Sequence, residues 1–298
     1  MGKLDGKVAF ITGAARGQGR SHAVLLAEEG ADIVGIDICA DIDTCNYHLG
    51  NEEDLEETVR LVEKTGRQML ARKADVRSRE ELQAAVDAGL EQFGRLDIVL
   101  ANAGISNFQA APFEASVQAW HDTIDVCLTG VWNTLQVTAP ALIEGDRGGA
   151  IVITASTAGT RVTTTNFDGG YDAYTAAKTA IVGLMRSYAG RLARHNIRVN
   201  TIHPTTVDTP LGRDQRYQKW ATEETELLAT EFNQALPIGW VDAIDISNGV
   251  LYLVSDMGRY VTGQTLHVDA GNTTVALSGV AGTGPGGTRV SIAVERPT

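Results

Sequence analysis

The stretch Thr12-Gly13-Ala14-Ala15-Arg16-Gly17-Gln18-Gly19 decides the fold. The apolar run Lys7–Thr12 reads as a β-strand leading into it, and Gln18–Glu29 reads as a helix leading out. In such a strand–turn–helix each glycine has its own task. Gly13 permits the tight turn, Gly17 lets backbone approach a pyrophosphate, and Gly19 lets the helix pack on the sheet. The helix N-terminus then presents unpaired N–H groups and the positive end of its dipole to phosphate. A glycine triplet alone would be no more than a flexible loop; the strand before it and the helix after it favour a dinucleotide site.

Outward from this turn, short apolar runs alternate with amphipathic segments. Strands are expected at Asp32–Asp37, Gln68–Lys73, Asp97–Ala101, Ala150–Ala155, Arg198–His203 and Gln264–Val268. Helices are expected at Glu52–Thr65, Ser78–Phe93, Ser116–Ile143, Asp172–Arg194 and Asp242–Val254. Strands separated by helices imply βαβ crossovers and a mostly parallel, buried sheet: an α/β, Rossmann-type, doubly wound domain over residues 1–275. Two segments break the rhythm. Ile38–Asn51 is a long polar loop, and 276–298 is a glycine-rich tail or arm outside the core. The region 205–236 reads as a variable lid whose apolar residues could line a pocket.

The bulk numbers narrow the function. A formal charge of −12 argues against a nucleic-acid partner and against an anionic membrane surface. No continuous apolar stretch is long enough to span a bilayer, and Met1–Asp5 carries no secretory pattern, so a cytoplasmic location is expected. The three cysteines, Cys39, Cys45 and Cys127, form no CxxC and suit a reducing compartment. The six histidines form no metal-binding cluster, so no metal is expected.

Three further signals carry chemistry. Asp37 ends the second strand, 18 residues after Gly19, where a carboxylate can accept from both ribose hydroxyls of adenosine and repel a 2′-phosphate. That favours NAD over NADP, although Arg16 could pair with a phosphate. Tyr174 and Lys178 stand four residues apart on one helical face. A phenol is a poor base near neutrality, and a neighbouring ammonium lowers its pKa. Tyr174 can then exchange a proton with an alcohol while hydride leaves its carbon. Lys178 can also hold ribose hydroxyls of the cofactor. Ser156 follows a strand C-terminus, where parallel sheets place their sites, and its hydroxyl can steady a substrate oxygen.

Taken together these residues resemble the short-chain dehydrogenase/reductase family over about residues 5–275. The likeness includes the glycine turn, Asp75-Val76, Asn102-Ala103-Gly104, Ser156, Tyr174-x3-Lys178, His203-Pro204 and Thr209-Pro210. It implies a seven-stranded sheet, a homotetramer, and NAD-dependent interconversion of a small-molecule alcohol and its ketone. It also implies cofactor contacts from Gly13, Arg16, Gly17, Gln18, Gly19, Asp37 and Ile38, with Asp75 and Val76 by the adenine. Asn102, Ala103 and Gly104 would border the cofactor, as would Pro204, with Val207 and Thr209 by the carboxamide. Finer likeness points to the mycofactocin-coupled, carveol-dehydrogenase-like branch, through Gly17-Gln18-Gly19-Arg20-Ser21-His22 and the Ile38–Asn51 loop. That branch implies NAD that does not exchange freely and an external electron carrier, and the apolar lid region suggests a lipophilic, terpenoid-like secondary alcohol or its ketone.

The chain departs from the family pattern at three points. Cys127 stands where the family has an Asn that helps relay a proton from the lysine. Ser156 lies 18 residues before Tyr174, a longer gap than usual, which leaves Thr154 and Thr157 as substitutes and makes Val162–Gly170 an added flap. Thr205 replaces a common Gly. Two other readings stay open. One is an NAD-dependent epimerase or dehydratase, which shares the Tyr–Lys pair. The other is a non-catalytic, NAD-binding redox sensor, for which Cys127 is the one supporting feature.

Overall fold

The structure is a computed structural model that describes residues 2–107, 117–161, 169–215 and 234–274. The tail 276–298, most of the expected flap and the centre of the lid region lie outside the described residues.

Strand β1 (Val8–Thr12) is buried at every position, as a strand covered on both faces must be. Helix α1 (Gly17–Glu28) follows, then β2 (Asp32–Asp37), α2 (Glu52–Glu63), β3 (Met69–Lys73) and α3 (Arg79–Phe93). Capping residues set these boundaries. Asn51 and Asp54 form a reciprocal box at the start of α2. The Ser78 hydroxyl accepts from Glu81 N at 3.2 Å to begin α3, and Gly94, at φ 72°, ends it. The second half runs β4 (Ile98–Ala101), α4 (Val117–Ile124), α5 (Gly130–Glu144), β5 (Gly149–Thr154), α6 (Gly169–Leu192) and β6 (Ile197–Pro204). It closes with β7 (Val207–Asp208), α7 (Pro210–Arg213), β8 (Val241–Asp242), α8 (Ala243–Val254) and β9 (Thr265–Val268).

Seven strands form one parallel sheet in the order β3-β2-β1-β4-β5-β6-β9. Alternate residues of each strand feed two cores. Phe10, Val34 and Val99 join Leu135 and Ile181 on one face, while Ile11, Ile33 and Leu100 join Leu26 and Val250 on the other. The chain reverses its direction of travel between β1 and β4, which opens a crevice at the carboxyl ends of these strands.

The expected elements are present, with ends moved by a few residues, and two features were not foreseen. The long helix is interrupted by a π-turn at Asp125–Thr129, which contains Cys127. β7 and β8 pair as a separate parallel ribbon, Val207 opposite Val241, two residues each and too short to leave a periodic signal. The helical run Val117–Glu144 reaches bilayer-spanning length and hydropathy, but 61% of its most apolar window is buried, and it packs against α3 and α6.

Candidate active site

The first turn is built as its glycines demand. Gly13 and Gly17 hold positive φ, 70° and 57°, which a side chain would strain. A Cβ on Gly19 would lie 1.9 Å from the Gly13 carbonyl oxygen, so α1 rests directly on the turn. Residue Arg16, at the N-cap of α1, makes no side-chain cap. Its guanidinium reaches instead to the carbonyl of His48. The first N–H groups of α1 therefore face the crevice without a side-chain acceptor, the donor set that suits a pyrophosphate.

Asp37 sits at the end of β2, and both its oxygens are anchored. Ala15 N donates to Oδ2 at 3.0 Å and Cys39 N to Oδ1 at 3.1 Å. Burial pushes its pKa up, and the two N–H groups and Arg16 pull against that. Each oxygen keeps further acceptor capacity toward the crevice, which Asp37 lines. Thr12 ties the next strand in. Its hydroxyl oxygen accepts from Asn102 N at 2.9 Å and Ala103 N at 3.0 Å, and Asn102 Nδ2 donates to Thr12 O at 3.1 Å. This fixes Asn102-Ala103-Gly104 beside the glycine turn. Asp75 and Val76 form the far wall, where Arg77 pairs with the Asp75 carboxylate at 2.6 Å and Asn133 Nδ2 donates to Val76 O at 3.1 Å.

Two adjoining cavities share Gln18, Asn102, Gly104, Ile105, Thr209 and Leu211. The first is lined by Gly13, Arg16, Gly17, Gly19, Asp37, Ile38, Asp75, Val76 and Ala103. The second is lined by Ser156, Tyr174, Lys178, Pro204 and Val207. Every candidate residue read from the sequence thus lies on one continuous depression.

The Tyr–Lys–Ser cluster occupies the second cavity. Lys178 is only 3% exposed, and its Nζ donates to the Thr154 carbonyl at 2.7 Å. The same nitrogen lies 5.4 Å from the centre of the Tyr174 ring. Burial lowers the Lys178 pKa. The Ser156 hydroxyl oxygen accepts from Ala158 N at 3.1 Å, which leaves its own hydrogen to donate. Behind it, His203 Nδ1 meets the Ser156 carbonyl at 3.0 Å and Nε2 meets the Thr201 hydroxyl at 2.9 Å. Burial holds His203 down at about 4, so a neutral ring bridges β6 to the Ser156 backbone. Thr154 is committed to Asn102 Oδ1 at 3.1 Å, and Thr157 has joined a short 3-10 turn, so Ser156 is the better-placed hydroxyl of the three.

Cys127 is fully buried, and burial raises its thiol pKa. Its sulfur receives Ile105 N–H at 3.4 Å and donates to Ile105 O at 3.2 Å. Cys39 and Cys45 are both pushed up to about 12. None of the three thiols has the lowered pKa of a reactive cysteine.

Beyond Ile38, the sequence reading gave no individual residue of the covering loop a role. Ile42, Tyr47, Leu49 and Gly50 line the first cavity, as do Ile105 and Leu211. The one legible sign was the unusual length of Ile38–Asn51. Among the described residues no cluster of potential metal ligands occurs.

Comparison with known proteins gives several close matches. The family model described as enoyl-(acyl carrier protein) reductase matches residues 13–273. The (−)-trans-carveol dehydrogenase of Rhodococcus erythropolis is 45% identical over 283 residues, covering 92% of this chain and 99% of that one. The crystal structure of carveol dehydrogenase from Mycobacterium avium in complex with NAD superposes with a TM-score of 0.86 at 44% identity, covering 92% of this chain and all of the other. A short-chain dehydrogenase from Mycobacterium paratuberculosis bound to NAD gives a TM-score of 0.84 at 40% identity, with coverages of 92% and 100%.

Proposed function

The chain belongs to the short-chain dehydrogenase/reductase family, and from that premise we propose that it is an NAD-dependent oxidoreductase interconverting a lipophilic secondary alcohol and its ketone. The observation that carries the reading is the buried Lys178 ammonium beside the Tyr174 ring, in a cavity that adjoins the glycine turn. The glycine turn and the uncapped start of α1 would hold the pyrophosphate, Asp37 the adenosine ribose, and Asp75-Val76 the adenine. NAD, when bound, supplies the hydride acceptor.

The chain's own residues handle the proton. Ser156 donates to the substrate oxygen and holds it next to the Tyr174 hydroxyl. Tyr174, with its phenolate favoured by Lys178, takes the alcohol proton as the carbonyl forms, and returns it in the reverse direction. Lys178 is kept in register by the Thr154 carbonyl, and His203 keeps the Ser156 backbone in place. The apolar wall at Ile105 and Leu211 favours a hydrocarbon skeleton of the terpenoid kind.

Ile42, Tyr47 and Leu49 cover the cofactor cavity, which supports slow nucleotide release and regeneration in place by an external electron carrier. A homotetrameric, cytoplasmic enzyme belongs to the same reading. The test is to denature freshly purified protein and identify the released nucleotide by mass spectrometry. Near-stoichiometric NAD or NADH is expected, with turnover of cyclic secondary alcohols when an artificial electron acceptor is supplied. Recovery of NADP overturns the Asp37 argument, and absence of turnover on every alcohol and ketone overturns the reaction.

A further inference from the structure

The loop Ile38–Asn51 lines the nucleotide cavity, yet Tyr47 and Thr44 hydrogen-bond to Ser106 and Asn107, the segment that leads into the second cavity. Tyr47 is 2% exposed, and its hydroxyl oxygen accepts Ser106 N–H at 2.9 Å. The Thr44 hydroxyl accepts from Asn107 Nδ2 at 3.0 Å and donates to Asp122 Oδ2 at 2.7 Å. Asn107 is itself fully buried, and its second amide hydrogen goes to the Thr123 hydroxyl at 3.1 Å.

The anchored segment is a wall of the second cavity. Ile105 and Ser106 line it together with Tyr174, Lys178 and Ser156. Asn107 also abuts the helix that carries Tyr174, because a Cβ on Gly170 would lie 2.2 Å from the Asn107 carbonyl oxygen. On the nucleotide side the loop meets the glycine turn where Arg16 reaches the His48 carbonyl. Buried hydroxyl and amide groups are costly unless paired, so Tyr47 and Thr44 fix the register between the loop and residues 105–107.

We propose that Tyr47 and Thr44 are positioning residues for the substrate. They hold Ile105–Asn107 as a cavity wall, so the same loop that covers the cofactor also sets the affinity for the alcohol. This rests on the oxidoreductase reading above.

The test uses the full chain with its co-purified nucleotide and compares Tyr47→Phe, Thr44→Val and Thr44→Ser with the parent protein. Three quantities are read: amide exchange across residues 105–107, nucleotide content after denaturation, and KM and kcat for a series of cyclic secondary alcohols with an artificial electron acceptor. Tyr47→Phe and Thr44→Val should each raise exchange in the segment and raise KM about tenfold, the scale of one buried hydrogen bond. The rise should be steepest for the bulkiest alcohols, and in Thr44→Val, whose side chain lines neither cavity, kcat and nucleotide content should stay near the parent values. Thr44→Ser keeps the hydroxyl and should restore KM. Unchanged KM in both variants overturns the proposal, as does a KM rise that only tracks lost nucleotide. If the parent protein turns over no alcohol or ketone, the oxidoreductase reading fails and the substrate role falls with it. If the parent is active and the variants match it, only the positioning role fails.

Discussion

Lys178 Nζ lies 5.4 Å from the centre of the Tyr174 ring and is tethered by the Thr154 carbonyl at 2.7 Å. The tether fixes a buried amine beside the phenol, and burial of that amine strengthens its electrostatic interaction with the ring. Removing the phenolic oxygen with Tyr174→Phe should lower kcat by about 10²–10⁴, the usual worth of a positioned acid–base group. Nucleotide content should stay at the parent level, because the tyrosine ring still packs. Steady-state kinetics and mass spectrometry of released nucleotide check both parts; full activity in Tyr174→Phe would refute the assigned role.

Asp37 has two tasks, an anchor and a charge. Its carboxylate anchors Ala15 N and Cys39 N, and its charge faces the site proposed for the ribose. Asp37→Asn removes the charge and keeps one carbonyl acceptor, so one of the two backbone anchors is lost with it. Preference for NAD over NADP should fall by about tenfold or more, as expected when charge repulsion of a 2′-phosphate is relieved. Competitive loading of unfolded-and-refolded protein with both nucleotides, followed by mass spectrometry, measures the ratio. An unchanged ratio would shift discrimination to Arg16 and the loop.

Much of this site is legible in the chain because its parts are local. The glycine turn carries its own strand, turn and helix signals, and β2 reads at Asp32–Asp37 because the run between two aspartates is apolar and ends in a charge. Tyr174 and Lys178 share a helical face by their spacing, and the pair gains its meaning from the glycine turn and Ser156 that accompany it. What stays hidden depends on distant pairing. Tyr47 meets Ser106 across 59 positions, and nothing in a polar loop announces that its tyrosine is core. The ribbon of β7 and β8 depends on two pairs of residues meeting through tertiary structure. The π-turn at Asp125–Thr129 inserts into a helix whose apolar pattern continues on both sides.

Gly19 should tolerate no side chain. A methyl group there would sit 1.9 Å from the Gly13 carbonyl oxygen and 3.0 Å from Asn102 Nδ2. The clash is with backbone, so relief requires lifting α1 off the turn. Gly19→Ala should cost more than about 3 kcal/mol, at the upper end of overpacking, and should empty the protein of nucleotide. Gly183→Ala, where no atom lies within 4 Å of the added carbon, should be near neutral on the same urea titration. Equal midpoints for the two variants would contradict the packing argument.

His22 gives the fold an acid limit. The ring is fully buried between α1 and α8, Nδ1 meets the Ser247 hydroxyl at 2.8 Å, and Nε2 is buried without a partner. Burial lowers its pKa from 6.5 to about 3. Below pH 6.5 the unfolded chain therefore binds a proton that the folded chain refuses. Stability from this group is complete above 6.5 and is lost as pH falls toward 3, at about 1.4 kcal/mol per pH unit within the window. His22→Asn places an amide near the Nδ1 position and removes the titration. Its stability at neutral pH should drop, since a buried ring becomes a smaller side chain. Its slope of unfolding free energy between pH 6 and pH 4 should be shallower than the parent's by about 1.4 kcal/mol per unit. Urea unfolding across that range measures the two slopes, and identical slopes would mean that His22 is already protonated in the folded protein.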